Sequence, residues 1–171
     1  TIYLIIMDWL QQQREKKELE NQTLQSELKF LKSQINPHFL FNTLNSLYAL
    51  TLKKSDLAPE IVLRLSEMMR YMLYDCNEKE VKLDKEITYM ENYLELEKLR
   101  HGDKINIDVT IDGETQNDKI APLLLIPFLE NAFKHGVNDT SKPSFVRLNI
   151  EINNGLLIMK IENSKMTTKP K

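Results

Sequence analysis

Apolar residues recur every three or four positions through the first part of the chain, between about Asp8 and Leu52, where no glycine occurs. This spacing predicts a helix, and its narrow apolar stripe is typical of a coiled-coil seam. The seam consists of Leu24, Leu28, Leu31 and Ile35. Continued in the same register, it reaches His38, Asn42 and Asn45. Because buried polar groups destabilise a seam unless they are hydrogen-bonded, these three positions need a specific reason.

Pro37 interrupts this helical pattern. A proline ring clashes with the carbonyl group four residues earlier, here that of Ser33, and removes one backbone hydrogen bond. Two arrangements fit the sequence: the helix kinks at Pro37, or Asn36 caps a new helix that has Pro37 in its first position. Both arrangements partly release the backbone next to His38.

A second helix is predicted from Pro59 to about Tyr74, after a turn at Lys53–Asp56. Its apolar stripe is Val62, Leu65, Met69 and Met72. Two helices joined by a short turn form an antiparallel hairpin. Because this stripe and the seam cannot both be buried within one hairpin, the pattern predicts a homodimer in which two hairpins form a four-helix bundle.

Two more helices are predicted in the second half of the chain. One begins at Asp84, a good capping residue, and runs to about Arg100. Its inward positions are Ile87, Met90 and Leu94. The other runs from Pro122 to His135 and ends at Gly136, where a left-handed residue suits a helix C-terminus.

Alternating apolar positions predict three strands, at residues 104–112, 145–152 and 156–161. The last two are joined by Asn153-Asn154-Gly155, which is typical of a hairpin turn. The predicted fold class is therefore α+β: a helical region followed by an α/β layer with an antiparallel sheet.

The composition excludes several classes of protein. The net charge of −2 gives no general signal for polyanions, so direct binding of nucleic acid is not expected. The glycines are too dispersed for a Walker A loop or a GxGxxG fingerprint. They are Gly102, Gly113, Gly136 and Gly155. The single cysteine, Cys76, cannot form an intrachain disulfide or a thiolate metal cage, which suits a reducing compartment.

The first residues are apolar from Ile2 to Met7, followed by Trp9. A membrane-spanning helix needs roughly 20 apolar residues, and this run is much shorter. One interpretation is the cytoplasmic end of a membrane helix, with Trp9 at the membrane interface and Arg14, Lys16 and Lys17 on the cytoplasmic side. The alternative is the apolar start of an ordinary long helix.

His38 is the first candidate for chemistry. Asn42 follows one helical turn later, within reach of one imidazole nitrogen, and a hydrogen bond there would fix the tautomer. The other nitrogen then keeps the lone pair that a phosphoryl acceptor requires. Alternatively, Asn42 and Asn45 only set the register of a dimeric bundle.

Residues 127–136 carry the second candidate. Glu130 and Lys134 are one turn apart, as are Asn131 and His135, so a polar stripe runs beside apolar positions. A carboxylate, a carboxamide and a lysine together offer ligands for magnesium and for phosphate oxygens. The alternative is an ordinary solvated ion pair between Glu130 and Lys134.

Together these segments resemble the cytoplasmic region of the LytS/YehU-type sensor histidine kinases, from about Leu24 to Asn163. Residues 34–45 (QINPHFLFNTLN) resemble the family's phosphoacceptor box, and residues 129–136 (LENAFKHG) resemble the N box of the GHKL-type ATP-binding fold. Further matches to the family pattern are Leu65, Ser66, Arg70, Tyr71, Leu83, Glu86, Tyr93, Glu97 and Arg100. The resemblance implies a dimerisation and phosphoacceptor hairpin followed by an incomplete GHKL-type α/β sandwich.

The resemblance also implies a role for each candidate residue. His38 would accept the γ-phosphoryl group of ATP, and Glu130 would act near the attacking nitrogen as a base or polarising group. Asn131 would bind Mg²⁺, while Lys134 and His135 would face the phosphates. The phosphoryl group would then pass to an aspartate in the receiver domain of a response regulator, one with a LytTR-type DNA-binding domain.

Two departures from the family pattern concern nucleotide binding. Asn163 stands where the family has an aspartate that binds the adenine amino group, and no glycine follows it. The glycine-rich box that closes over the phosphates is absent from these 171 residues. We therefore expect this fragment alone to be inactive. The alternative function is a non-catalytic dimeric signalling scaffold with a degenerate nucleotide site.

The predicted organisation has three parts: a membrane-proximal helix start at residues 1–20, the phosphoacceptor hairpin at 21–80 and a truncated ATP-binding domain at 81–171. The resemblance favours a location at the cytoplasmic face of the bacterial inner membrane. The membrane would be reached through segments that precede Thr1.

Overall fold

The computed structural model describes residues 7, 9, 11–20, 22, 37–115, 117–136 and 144–164. The chain divides into two compact units, residues 1–40 and 41–171. In the first unit, residues 11–20 are helical and exposed. The predicted seam from Leu24 to Ile35 lies outside the described residues. None of the helices in the described stretches combines the length and apolarity that crossing a bilayer requires.

Besides the helical residues 11–20, the described part of the chain has four α-helices with defined bounds and five strands. The helices are α1 (Pro37–Leu52), α2 (Ala58–Tyr74), α3 (Leu83–His101) and α4 (Ile126–Gly136). The strands are β1 (Val81–Lys82), β2 (Ile105–Asp112), β3 (Lys119–Ile120), β4 (Ser144–Asn153) and β5 (Leu156–Asn163). This content confirms the α+β class, while the four-helix bundle, the GHKL-type sandwich and the domain boundaries at residues 20 and 80 stay predictions.

Helix α2 buries a different face from the predicted stripe. Pro59 lies in its first turn, as expected. The buried residues are Ala58, Ile61, Leu65, Met68 and Tyr71, because this face packs against α3. Of the predicted stripe, Leu65 is buried, whereas Val62 and Met69 are 47% and 37% exposed. The predicted stripe is thus left largely uncovered within one chain, and the homodimer stays a prediction.

Helix α3 has the predicted core positions but not the predicted cap. Ile87, Met90 and Leu94 are buried. The capping residue is Lys82, and Asp84 lies inside the first turn, where its Oδ1 accepts a hydrogen bond from the Lys85 N–H at 2.7 Å. The prediction for Asp84 was wrong because a distant backbone group serves this helix end: the N–H of Leu83 donates to the carbonyl oxygen of Asp118 at 2.9 Å.

Helix α4 starts four residues later than predicted. Residues 122–125 form a turn, in which Leu123 has a positive φ of 56°. A left-handed residue cannot continue a right-handed helix, so the first helical residue is Ile126. Gly136 at the other end does not have a positive φ. The sequence-based reason for this glycine was therefore wrong.

Strands β2, β4 and β5 form one sheet in that order. β4 and β5 are antiparallel, but β2 and β4 are parallel, so the prediction of an antiparallel sheet was wrong for this pair. Parallel neighbours need a long crossover, and the segment that contains α4 provides it. The hairpin turn is confirmed, with positive φ at Asn154 and Gly155. β1 and β3 pair separately, and with two residues each they are too short to show a period.

The core of the second unit lies between this sheet and helices α3 and α4. Leu129 of α4 and Val146, Leu148 and Ile150 of β4 are completely buried. Ion pairs cover the opposite face of the sheet, where Arg147 lies 3.0 Å from Glu162. The buried residues of the described sheet strand β4 thus face the helices, and the cavity described below lies on that side.

Candidate functional site

A cavity of about 480 Å³ lies between helix α4 and strand β5. Its lining residues are Leu124, Leu125, Phe128, Asn131, Ala132, Leu157, Met159, Ile161 and Asn163. Most of them are apolar, and the polar ones are two carboxamides, Asn131 and Asn163. A concave apolar cavity with a few fixed polar groups suits a flat ring system that carries hydrogen-bonding atoms.

Helical and strand periodicities explain how the cavity forms. Phe128, Asn131 and Ala132 are three or four residues apart, so they share one face of α4. Strand β5 contributes alternate residues from Leu157 to Asn163, which point to one side of the sheet. The helix therefore offers its carboxamide from one wall, and the strand offers its own at the end of the other wall.

The side chain of Asn163 is held by the backbone of the next residue. Its Nδ2 donates a hydrogen bond to the carbonyl oxygen of Ser164 at 2.8 Å, and the side chain is half-buried. Among the described residues no donor bonds its Oδ1. Asn163 therefore offers an acceptor to a ligand in the cavity, as an aspartate at this position would, but without the negative charge.

Gly136 allows α4 to approach Asn163 closely. A Cβ atom at position 136 would lie 2.7 Å from the Cβ and 2.9 Å from the Nδ2 of Asn163. These distances are shorter than van der Waals contact, so any other residue would push the end of α4 away from β5. The glycine is needed for space at the wall of the cavity, not for a left-handed backbone.

We expect Gly136→Ala to destabilise the second unit by about 1–3 kcal/mol, the usual cost of an added methyl group in a filled position. Urea unfolding followed by circular dichroism measures this loss. Gly155→Asn is the control, because a Cβ at Gly155 meets no atom within 4 Å and asparagine tolerates the positive φ of this hairpin-turn position. If Gly136→Ala were as stable as the unmodified chain, the close packing described here would be contradicted.

Asn131 is exposed at the rim of the cavity. Its side-chain oxygen is a ligand of the type that Mg²⁺ takes from proteins. Within the described residues, no three His, Cys, Asp or Glu side chains come together as a metal cage. A magnesium ion here would thus take most of its ligands from a bound phosphate chain and from water, with Asn131 as the contribution of the protein.

The other polar residues of α4 lie outside the cavity lining. Lys134 and His135 are exposed near the end of the helix. Glu130 is half-buried and lies near tyrosines of α3. Burial is the main cause that raises the pKa of Tyr89 and Tyr93 well above the usual phenol value, and the charge of Glu130 raises both further. The structure therefore places Asn131 and Asn163 at one cavity, whereas Glu130 is not among the residues that line it.

A second cluster fixes α4 against α3. The rings of Phe133 and Tyr93 pack edge to face with centroids 5.8 Å apart, and Phe133 stacks on His101 at a centroid distance of 6.3 Å. Arg100 links this contact to a buried carboxylate, because its Nη2 lies 2.9 Å from Oε2 of Glu97 and its Nε donates to His101 Nε2 at 3.1 Å. These aromatic contacts and the ion pair of Arg100 with Glu97 hold α4, the helix that carries Asn131, against α3.

Glu86 is the residue whose role sequence reasoning missed. Its side chain is 1% exposed, and it accepts hydrogen bonds from the Tyr71 hydroxyl at 2.5 Å and from the N–H groups of Leu123 at 3.0 Å and Leu125 at 3.2 Å. Its position in the sequence indicated burial, because Glu86 is three residues after Leu83 and next to Ile87. It therefore lies on the apolar face of α3, where a carboxylate needs hydrogen-bond donors.

The predicted phosphoacceptor lies on helix α1. His38 is exposed near its start, and Asn42, four residues later, is half-buried. An exposed imidazole is accessible to a phosphoryl donor, and the spacing places both residues on one side of the helix. Their roles stay predictions.

Residues 26–105 match the model of the histidine kinase family. The sensor protein LytS of Oceanobacillus iheyensis is 31% identical over 142 residues, which cover 82% of this chain and 24% of that protein. The LytS of Staphylococcus epidermidis is 29% identical over 148 residues, or 86% of this chain and 25% of that protein.

The sensor protein kinase HptS of Staphylococcus aureus is 35% identical over 124 residues, which cover 72% of this chain and 24% of that protein. The chain thus spans about a quarter of the length of the curated relatives it matches. The family model covers the phosphoacceptor box, and the relatives cover most of the chain. The chain belongs to the histidine kinase family, among the LytS-type sensor kinases.

Proposed function

We propose that the whole protein is the sensor kinase of a two-component system, which transfers the γ-phosphoryl group of ATP to His38 and then to an aspartate of a response regulator. One observation carries the proposal: Asn131 and Asn163, from two elements distant in sequence, line the same apolar cavity. A nucleotide-binding site needs an apolar slot for the base and polar groups that bind the base edge and the phosphates.

In the proposed complex, adenine occupies the apolar slot between α4 and β5. The adenine amino group donates to Oδ1 of Asn163, a neutral acceptor that binds it less strongly than a carboxylate would. The phosphates extend toward Asn131, which would hold Mg²⁺ together with phosphate oxygens. Bound there, the ion would neutralise charge on the phosphate chain.

The transfer step forms one bond and breaks one. A ring nitrogen of His38 attacks the γ-phosphorus with its lone pair, the bond between that phosphorus and the β–γ bridging oxygen breaks, and ADP leaves. Asn42 orients the imidazole in this proposal, and Glu130 acts as a base or polarising group. In the second step, a carboxylate oxygen of the response regulator attacks the same phosphorus and the P–N bond breaks.

The test is phosphorylation of the full-length protein with ATP labelled at the γ-position. We expect a label that is lost in acid and stable in base, as a phosphoramidate on imidazole requires. A full-length protein that folds and takes no label would overturn the proposal. That result would instead support the non-catalytic dimeric scaffold.

We further propose that the protein acts as a homodimer at the cytoplasmic face of the bacterial membrane. Large apolar side chains on α1 support the dimer, since Phe41, Tyr48 and Leu52 are each about two-thirds exposed in the single chain. They recur at helical spacing, so a second copy could cover them together. The receiver domain of the response regulator, of the LytTR type by resemblance, is the proposed partner.

We expect the 171-residue chain by itself to bind ATP and magnesium only in the millimolar range or more weakly, which is under about 4 kcal/mol. Its residues supply Asn131 and Asn163 but no glycine-rich loop whose backbone N–H groups would surround the phosphates. Calorimetric titration measures the affinity, with the full-length protein as the comparison. A micromolar dissociation constant for the 171-residue chain would show that the cavity suffices without such a loop.

A further inference from the structure

We propose that Glu86 is a positioning residue for the nucleotide cavity and that Tyr71 connects it to helix α2. This inference rests on the proposed function, since it assigns nucleotide to the cavity between α4 and β5. Glu86 lines no part of that cavity itself. It acts through the turn at residues 122–125, which forms part of the cavity wall.

The carboxylate of Glu86 determines the shape of this turn. Its Oε2 accepts from the N–H of Leu123 and its Oε1 from the N–H of Leu125. Leu123 has a positive φ of 56°, which is costly for a residue with a branched side chain and persists only when its surroundings impose it. Leu124 and Leu125 then line the cavity, and α4 begins directly afterwards at Ile126.

Within the described part of the chain, three donors bond Glu86, and all are neutral. Two are backbone N–H groups at the entrance to α4, where the helix dipole favours negative charge. The third is the hydroxyl of Tyr71, which donates to Oε2 at 2.5 Å. Burial raises the pKa of Tyr71 far above the usual phenol value, and its hydrogen bond to Glu86 raises it further. The tyrosine therefore remains a donor throughout the physiological pH range.

Tyr71 and Leu123 share the same carboxylate oxygen. Tyr71 belongs to α2, Glu86 to α3 and Leu123 to the turn before α4, so one oxygen joins three segments of the chain. If α2 moves and the hydrogen bond from Tyr71 to Glu86 lengthens, the same Oε2 atom that accepts from the Leu123 N–H is affected. The turn that forms the cavity wall is then held differently. The hydrogen bond between Tyr71 and Glu86 therefore joins α2, the helix that follows α1 in the chain, to the wall of the nucleotide cavity.

The experiment compares Tyr71→Phe, Glu86→Gln and the double variant in the full-length protein. The rate of His38 labelling gives kcat and the KM for ATP, and a fluorescent ATP analogue measures binding directly. We expect Glu86→Gln to raise KM about tenfold with kcat nearly unchanged, because an amide cannot accept bonds at both of its heavy atoms. Tyr71→Phe should raise KM severalfold, and the double variant should resemble Glu86→Gln alone.

Tyr89→Phe is the matched control. Its ring lies 5.0 Å from that of Tyr71, and the substitution likewise removes one buried hydroxyl, but Tyr89 is not among the donors to Glu86. We expect its KM to stay within about twofold of the unmodified protein. A purely structural effect of losing a buried hydroxyl would change this variant as much as Tyr71→Phe.

Unchanged KM and analogue affinity in a folded Glu86→Gln protein would overturn the positioning role. If Glu86→Gln does not fold, Tyr71→Phe decides: a raised KM supports the inference and an unchanged KM overturns it. Fold-changes that simply multiply in the double variant would refute the connection to α2. A protein that binds the analogue but takes no label would contradict the proposed function, while the affinities would still test Glu86.

Discussion

His38→Gln abolishes phosphorylation of the full-length protein while its fold is retained: this is the largest effect that we expect. Glutamine is similar in size and polarity to histidine but has no ring nitrogen with a nucleophilic lone pair. Because His38 is exposed, its replacement removes no core packing. Labelling with γ-labelled ATP, measured to completion, should fall to background, while circular dichroism and nucleotide affinity stay unchanged.

Asn42→Ala is the companion variant. Asn42 is expected to orient the imidazole and not to react, so its loss should slow the transfer without lowering the final amount of label. Full labelling of His38→Gln at normal stoichiometry would end the assignment of this residue. Loss of all label in Asn42→Ala, with the fold intact, would show that orientation alone is not its role.

The second large effect is expected for Asn131→Ala. If Asn131 is the protein ligand of Mg²⁺ in the nucleotide complex, its loss removes a contact that the charged phosphate chain depends on. We expect kcat/KM for ATP in His38 labelling to fall by about 100-fold or more, which corresponds to roughly 2.7 kcal/mol. Titration of the residual rate with magnesium should show that a higher metal concentration is needed.

Asn106→Ala provides the matched control for this change. Asn106 is an exposed asparagine on β2 and lies on the face of the sheet opposite α4, so its truncation should leave kcat/KM within twofold. A normal rate and a normal magnesium requirement in Asn131→Ala would remove this residue from the site. The cavity would then need another explanation than nucleotide binding.

Local patterns predicted elements that depend on local interactions. The inward residues Ile87, Met90 and Leu94 of α3 are buried because helical spacing alone brings them to one face. The turn at Asn154 and Gly155 is confirmed because the positive φ angles that it requires are a property of these residues themselves. In both cases the information is contained within a few neighbouring positions.

The wrong predictions concern groups that are distant in sequence. The start of α4 was misplaced because Glu86, 37 residues before Leu123, supplies the acceptor that holds the turn. The cap of α3 was misassigned because Asp118 provides the carbonyl oxygen for its first N–H group. The direction of β2 was wrong because alternation of apolar residues records which side is buried and not which way the neighbouring strand runs.

The α+β class and the resemblance to LytS-type sensor kinases could both be predicted, since the spacing of apolar residues and the two motifs are local properties of the chain. The sequence also singled out Asn131 and Asn163. Packing between distant segments shows that these two carboxamides line one cavity, that Gly136 allows their elements to approach, and that Glu86 holds the adjacent wall. These features could not be predicted because a cavity and the hydrogen bonds of a buried carboxylate form only where segments distant along the chain pack together. No pattern among neighbouring residues indicates which distant groups will meet.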